Sequence, residues 1–374
     1  MISKTLVRDT PAAATNLGVA CYPEAVAVTA GDTLHLCVAP GQTFSVAFYR
    51  QGTTENLTPV TGPLPLVAAL RWVSRSGRVL TSFAVNSPRK PDLDWNWPRI
   101  GFSIPATWTS GVYFAVVYPV GADGVATDAL GIAVQAGDPQ GKIKPHPDLS
   151  ATPYVAWDHG MALFVVRPTA ADVVAGSVKI AYVLSVSTYQ AYNNTGPGCF
   201  YYNGSVTRVT LRRPGCGVGS PIMDAESDSF DTTSKRNTYA HWDARFIRWL
   251  ASRGISCHFY TNYDLDCYRT GLPSPVLSAA GQPAYPLLLS VGHDEYWSAA
   301  IRAAVEGYQQ AHGNVAIFSG NTCYRPVGFG APSTTASKYD PPLAGIPSDA
   351  KSVMFKLAEA TQTLNQSTKN LLAV

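Results

Sequence analysis

The sequence predicts an all-β first part and an α/β second part, and three observations carry that reading. From about Val28 to Val134 large apolar residues alternate with polar or small ones, the period of half-buried strands. Further on, short continuous apolar runs end in polar turns and give way to apolar residues at helical spacing. Between the two regimes, residues 137–147 read Gly-Asp-Pro-Gln-Gly-Lys-Ile-Lys-Pro-His-Pro, which is linker chemistry. A chain of 374 residues is also too long for one ordinary core. The expected outline is a β-sandwich of immunoglobulin-like type over residues 1–145, followed by a doubly wound α/β domain over residues 146–374.

In the first part, Leu34-His35-Leu36, Thr43 to Phe48, Ile100 to Ile104 and Val112 to Tyr118 read as strands. Gly31-Asp32, Pro40-Gly41, Ser87-Pro88 and Gly121-Ala122-Asp123-Gly124 supply turns between them. Trp95, Trp97 and Trp108 are expected to fill the core or an interdomain face rather than form a platform for carbohydrate, because rings in a small sandwich mostly pack.

In the second part, Ala162 to Val166 and Val178 to Val186 read as buried strands of the α/β sheet. Ser187 to Asn194 reads as a polar loop, and Val206 to Leu211 as part of a hairpin. Asp224 to Asp231 is acidic, but it lacks the twelve-residue spacing, central Gly and closing Glu of a calcium loop, so a solvated loop is expected. Trp242, Phe246, Trp249 and Leu250 fall on one helical face, with Gly254 as a stop. Ile255 to Thr261 is the next strand, ending in Asn262-Tyr263-Asp264-Leu265-Asp266.

The most informative stretch is Pro286 to Asn321. Leu287 to Gly292 is a strand that stops at a turn residue, Ser298 opens a helix carrying Ile301, Val305 and Tyr308, Gly313 closes it, and Val315 to Phe318 is a second strand. Strand, helix, strand with short joints makes two parallel strands connected right-handedly. Both polar turns then emerge on the carboxyl edge of one sheet, where open α/β sheets bind ligands. That edge is expected to gather Tyr192, Asn262, Asp264, His293, Glu295 and Asn321. Glu295 near a helix start could merely cap it; an imidazole, two carboxylates and an amide together favour a working site.

Composition removes other classes. No run approaches the roughly 20 apolar residues that span a bilayer. The segment before Asp9 and Pro11 has no continuous apolar core, so the cytoplasm is the expected compartment. Seven cysteines without a Cys-x-x-Cys pair favour reduced thiols over a disulfide framework or zinc cage. A net charge of +3 with scattered Lys and Arg implies no nucleic-acid face.

Four segments in order, Val186 to Asn193, Phe246 to Asp266, Gly292 to Ser298 and Phe318 to Tyr324, resemble the large (β) subunit of N,N-dimethylformamidase. The resemblance covers about residues 155 to 330, with a looser fit of the preceding sandwich. It implies a glutamine-amidotransferase-like α/β domain that hydrolyses a substituted formamide at a mononuclear iron held by two tyrosines and a glutamate. By motif, Glu295 and Tyr192 are the implied metal ligands, and His293 and Asn321 the implied polar groups around the reacting amide. The second tyrosine ligand of the family follows an Arg-Pro pair, whereas here Arg213-Pro214 precedes Gly215 and Cys216, leaving Tyr201, Tyr202 or Cys216 as substitutes. By motif the tail from Ser333 to Val374 shows no resemblance, so the further acidic site residue that the family carries beyond its Ser-Gly-Asn turn is expected to be missing and the second domain to be shortened.

The expected function is therefore metal-dependent hydrolysis of a small amide, with a second copy or a small partner subunit as the expected assembly. One alternative is a non-catalytic descendant that serves as a binding or assembly module. Another is a thiol amidohydrolase using Cys199 or Cys216, although the elbow Gly292-His293-Asp294-Glu295-Tyr296 carries no nucleophile at its tip.

Overall fold

A computed structural model describes residues 21–38, 44–52, 58–59, 72–73, 79–80, 91–92, 95, 97, 99–119, 161–193, 198–201, 205–216, 239, 242–266, 275–330 and 352–357. The expected linker, Asp224 to Asp231 and Tyr202 lie outside the described residues. The molecule mixes α and β structure, with strands predominating.

The first part contains β1 (Cys21–Pro23), β2 (Ala27–Thr29), β3 (Thr33–Val38), β4 (Phe44–Arg50), β5 (Thr58–Pro59), β6 (Trp72–Val73), β7 (Val79–Leu80), β8 (Arg99–Ser103), β9 (Gly111–Pro119) and β10 (Met161–Arg167). Strands β1-β3-β8 form one sheet, β2-β10-β9-β4-β5 a second and β6-β7 a small third. Every pairing is antiparallel except β2 with β10.

The middle strands of the five-stranded sheet are apolar on both faces, and alternate residues go to different cores. Phe44, Val46, Phe48, Tyr113, Ala115, Val117, Ala162 and Phe164 join Leu34, Leu36, Trp95 and Trp97 in the space shared with β1-β3-β8. Ala47, Tyr49, Val112, Phe114, Leu163 and Val165 turn the other way, into a core shared with the second part of the chain. Trp95 and Trp97 are fully buried and meet edge to face, and Trp108 stacks on Tyr113, in line with a packing role for all three.

One strand belongs elsewhere than expected. Met161–Arg167 pairs antiparallel with β9 and parallel with β2, within the first part's sheet and not the α/β sheet. Its unbroken apolar run reflects burial on both faces, a property that a parallel strand and a doubly covered antiparallel strand share.

The second part contains α1 (Ala170–Ala175), β11 (Ile180–Leu184), α2 (Val186–Tyr192), β12 (Arg208–Thr210), α3 (Asp243–Ser252), β13 (Cys257–Thr261), α4 (Asn262–Asp266), β14 (Leu287–His293), β15 (Tyr296–Ser298), α5 (Ala299–Gln310), β16 (Asn314–Gly320), β17 (Arg325–Gly330) and β18 (Val353–Lys356). Strands β13-β11-β14-β16 form an all-parallel sheet. One face packs on α3 and the five-stranded sheet through Tyr182, Leu184, Phe259, Leu289 and Val291. The opposite face packs on α5 through Ala181, Val183 and Leu288. At the seam, the Phe259 N–H of the edge strand β13 donates to Ser110 Oγ at 2.8 Å.

Strands β12-β18-β17-β15 make a fifth sheet. Arg208–Thr210 was expected in a local hairpin, but its partner is Val353–Lys356. The partner lies far along the chain, where no turn signal links the two. The α3 face also differs from expectation. Asp243, Ala244, Ile247 and Leu250 are buried, while Trp249 is 48% exposed. The helix is rotated by its polar anchor, Asp243, whose Oδ1 accepts from Tyr182 OH at 2.8 Å and whose Oδ2 accepts from Tyr189 OH. Helix α5 starts as expected, with Ser298 Oγ accepting from the Ile301 N–H. It ends at Gln310, and the left-handed residue that follows is His312 (φ 67°), one position before the expected stop Gly313. Among the described residues no helix is long and apolar enough to cross a membrane.

Candidate functional site

In the parallel sheet the chain runs from β11 outward to β13 and then returns to the other side of β11 as β14. The reversal opens a crevice between the carboxyl ends of β11 and β14, the position where open sheets of this kind bind ligands. Helix α2 leaves one of these strand ends and the His293-Asp294-Glu295 segment leaves the other.

Ser187 to Tyr192 is helical rather than a polar loop, and residues 186–191 are all buried. It shows no apolar stripe because its polar groups are satisfied inside the protein. Ser187 Oγ donates to the Tyr296 carbonyl at 2.5 Å, and the Ser187 N–H donates to Asn262 Oδ1 at 3.2 Å. Gln190 Nε2 donates to the Leu211 carbonyl at 2.9 Å. At the end of the helix Arg213, itself buried, donates from Nη2 to the Gln190 carbonyl at 2.7 Å and from Nη1 to the Gly198 carbonyl at 2.9 Å.

The second wall is held as firmly. The Asp294 N–H donates to Ser319 Oγ at 2.8 Å, its carbonyl accepts from the Cys323 N–H at 2.9 Å, and the Glu295 carbonyl accepts from the Arg325 N–H at 2.9 Å. The two adjacent carboxyl groups diverge. Asp294 Oδ2 accepts from Ser290 Oγ at 2.7 Å behind the strand, while Glu295 turns toward α2. Glu295 caps no helix here, because Ser298 has that task.

Tyr192 OH donates to Glu295 Oε2 at 2.7 Å. His293 Nε2 lies 3.6 Å from the same oxygen, and Arg325 Nε lies 3.9 Å from Oε1. The Tyr192 ring has the Tyr201 ring at 4.5 Å, His293 at 5.5 Å and Tyr296 at 6.1 Å between centroids. Asn321 follows Gly320, the residue paired with His293, and is exposed at the same sheet edge in a left-handed conformation (φ 49°); Cys323 nearby has φ 55°. Two non-glycine residues of positive φ in one turn concentrate backbone strain beside the site. Asn262 and Asp264 are otherwise engaged, the first with Ser187 and the second with Arg167 and Thr261.

Burial raises the Glu295 pKa, and the Tyr192 hydrogen bond and Arg325 oppose that shift. Burial, followed by the charge of Glu295, raises the Tyr192 phenol well above its usual range. The proton between these groups therefore stays on Tyr192 at neutral pH. Cys216 lies in the core shared by both parts of the chain, and burial pushes its thiol up to about 12, the reverse of an activated nucleophile.

A carboxylate and a phenol oxygen at 2.7 Å, with an imidazole nitrogen beside them, form a donor set suited to a hard cation such as ferric iron. No group of three or more His, Cys, Asp or Glu side chains suited to a metal ion occurs among the described residues. Sequence reasoning overlooked Thr188 and Arg325. The arginine directly after Tyr324, next to the Ser-Gly-Asn turn, was the available signal for the latter.

The fold and site define a mixed α/β protein with an oxygen-rich polar centre at the reversal point of a parallel sheet. Residues 67–358 match the family model described as N,N-dimethylformamidase beta subunit-like, C-terminal, and the chain belongs to this family. No curated protein matches it. Among solved structures, a family 123 glycoside hydrolase from Clostridium perfringens is similar over 44% of this chain at 9% identity and a TM-score of 0.12, too slight a likeness to bear on fold or function. The chain spans 27% of that enzyme's length.

Proposed function

We propose that the protein hydrolyses the carbon–nitrogen bond of a small substituted amide, as its family's description implies, at a mononuclear iron held by Glu295 and Tyr192. The observation that carries this reading is the meeting of Tyr192 OH and Glu295 Oε2 at 2.7 Å in the crevice between β11 and β14. The same reading takes the two stacked sheets of the first part as an immunoglobulin-like sandwich and the parallel domain as glutamine-amidotransferase-like. It also takes a partner subunit or a second copy as the working assembly.

When bound, iron would supply a Lewis acid for the amide carbonyl and for water. The residues supply the rest. Tyr192 must give up its proton to ligate, so metal uptake strengthens as pH rises. His293, 3.6 Å from Glu295 Oε2, is placed to hold a proton and deliver it to the leaving amide nitrogen. Asn321 at the adjoining strand end can donate its amide to the carbonyl oxygen as negative charge develops there. Tyr201, whose ring packs on Tyr192, takes the part of the family's second tyrosine.

The test is elemental analysis of protein purified without added metal, together with amine and formate release from N,N-dimethylformamide. About one equivalent of iron and measurable hydrolysis, both lost in Glu295→Ala, are expected. An ordered protein that holds no transition metal and releases no formate would overturn the reading and favour the binding module, for which Gly215 in the place of a ligand tyrosine already speaks.

A further inference from the structure

Helix α2 touches Glu295 at two points. Tyr192 reaches its carboxylate, and Thr188, one turn earlier on the same helical face, reaches its backbone. Thr188 Oγ1 accepts from the Glu295 N–H at 3.0 Å and from the Tyr296 N–H at 3.3 Å. Thr188 is fully buried, and Glu295 and Tyr296 are buried as well. A hydroxyl oxygen has two lone pairs, and here both serve consecutive N–H groups of one segment. Ser187, the preceding residue of α2, donates to the Tyr296 carbonyl at 2.5 Å. The segment that leaves β14 is thus tied to α2 through three backbone groups and one side chain.

We propose that Thr188 is a positioning residue: its hydroxyl sets where the Glu295 backbone stands relative to α2 and thereby fixes the separation of the Tyr192 and Glu295 oxygens. This rests on the metal-site reading for its functional meaning, while the clamp itself is a property of the metal-free protein. A carboxylate and a phenol carried by separate elements make a defined pair only if those elements cannot slide, and an oxygen displaced by about 1 Å no longer completes a site. Buried amides that lose their acceptor cannot turn to solvent, so they would pull the segment away from α2.

The experiment compares wild type with Thr188→Val, which keeps the shape and removes the acceptor, and Thr188→Ser, which keeps the acceptor. Amide hydrogen exchange of the metal-free proteins is read at Glu295 and Tyr296, with Leu289 in the middle of β14 as control. Ferric iron affinity and the phenolate-to-iron absorption band are read separately. In Thr188→Val the two amides should exchange about fivefold to tenfold faster, the loss of one net hydrogen bond, while Leu289 is unchanged; iron should bind about tenfold more weakly with a shifted band. Thr188→Ser should stay close to wild type in every reading. Unchanged exchange in the valine variant, equal effects of valine and serine, or faster exchange without any change in iron binding would each overturn the proposal. If wild type itself binds no iron, the proposed function falls, and the clamp is decided by exchange alone.

Discussion

Gly292 packs so closely beneath Trp242 that a Cβ on it would stand 2.6 Å from the Trp242 Cβ, and its φ of +90° is itself foreign to residues with a side chain. The contact places the N-cap residue of α3 against the end of β14, immediately before His293. Gly292→Ala should therefore cost about 3 kcal/mol, combining backbone strain of about 1 kcal/mol with overpacking of about 2 kcal/mol. Chemical denaturation measures the loss. Because the strained residue adjoins the site, the fraction that remains folded should also lose part of the iron binding that the proposed function assigns to it.

Ser298 joins two elements. Its Oγ accepts the Ile301 N–H at 3.1 Å to start α5, and donates to Asp266 Oδ1 at 2.6 Å in α4. Ser298→Ala removes both bonds in a buried setting and should cost about 2 kcal/mol, roughly half from the cap and half from the hydrogen bond to a carboxylate. Ser298→Thr keeps an oxygen at the same place and should cost under about 1 kcal/mol. A threonine variant as unstable as the alanine variant would assign the effect to crowding instead.

Legibility followed the range of the interactions. The stretch from Leu287 to Gly320 could be read because each element declares itself locally: three leucines into a glycine, a serine cap, an apolar face at helical spacing. Its sheet-edge logic also singled out His293 and Glu295. Helix α2 was hidden because Ser187, Thr188 and Gln190 bury their polar atoms against other polar groups, which erases the stripe that betrays most helices. Strands β12, β15, β17 and β18 are short and find partners far along the chain, so no local turn announces them. The rotation of α3 depends on two tyrosine hydroxyls from β11 and α2, which no helical wheel of α3 can contain. The Tyr192–Glu295 contact joins residues 103 apart; the sheet-edge reading put both at one edge, and the motif resemblance made them a pair of ligands.

Asp243 gives the fold a pH dependence of predictable sign. It is fully buried, and burial, reinforced by the charge of Asp294, pushes its pKa up to about 7 against the pull of the Tyr189 and Tyr182 hydroxyls. In the unfolded chain the same group titrates at about 3.9. Between about pH 4 and pH 7 the folded state therefore keeps a proton that the unfolded state has lost, and stability falls as pH rises through this window, by up to ~1.4 kcal/mol per unit from this group. Below about pH 4 the contribution is fully present, and above about pH 7 it is flat. Asp243→Asn retains the shape, leaves a carbonyl to accept from one tyrosine, lets its NH2 donate to the other, and cannot ionise. The stability of wild type minus that of Asp243→Asn, from urea denaturation at pH 4.5, 6 and 7.5, should accordingly decline with pH, because the other titrating groups cancel to first order. A difference that stays constant across the three values would mean that the buried carboxylate is already ionised at pH 4.5, and that the two tyrosine hydroxyls outweigh its loss of hydration.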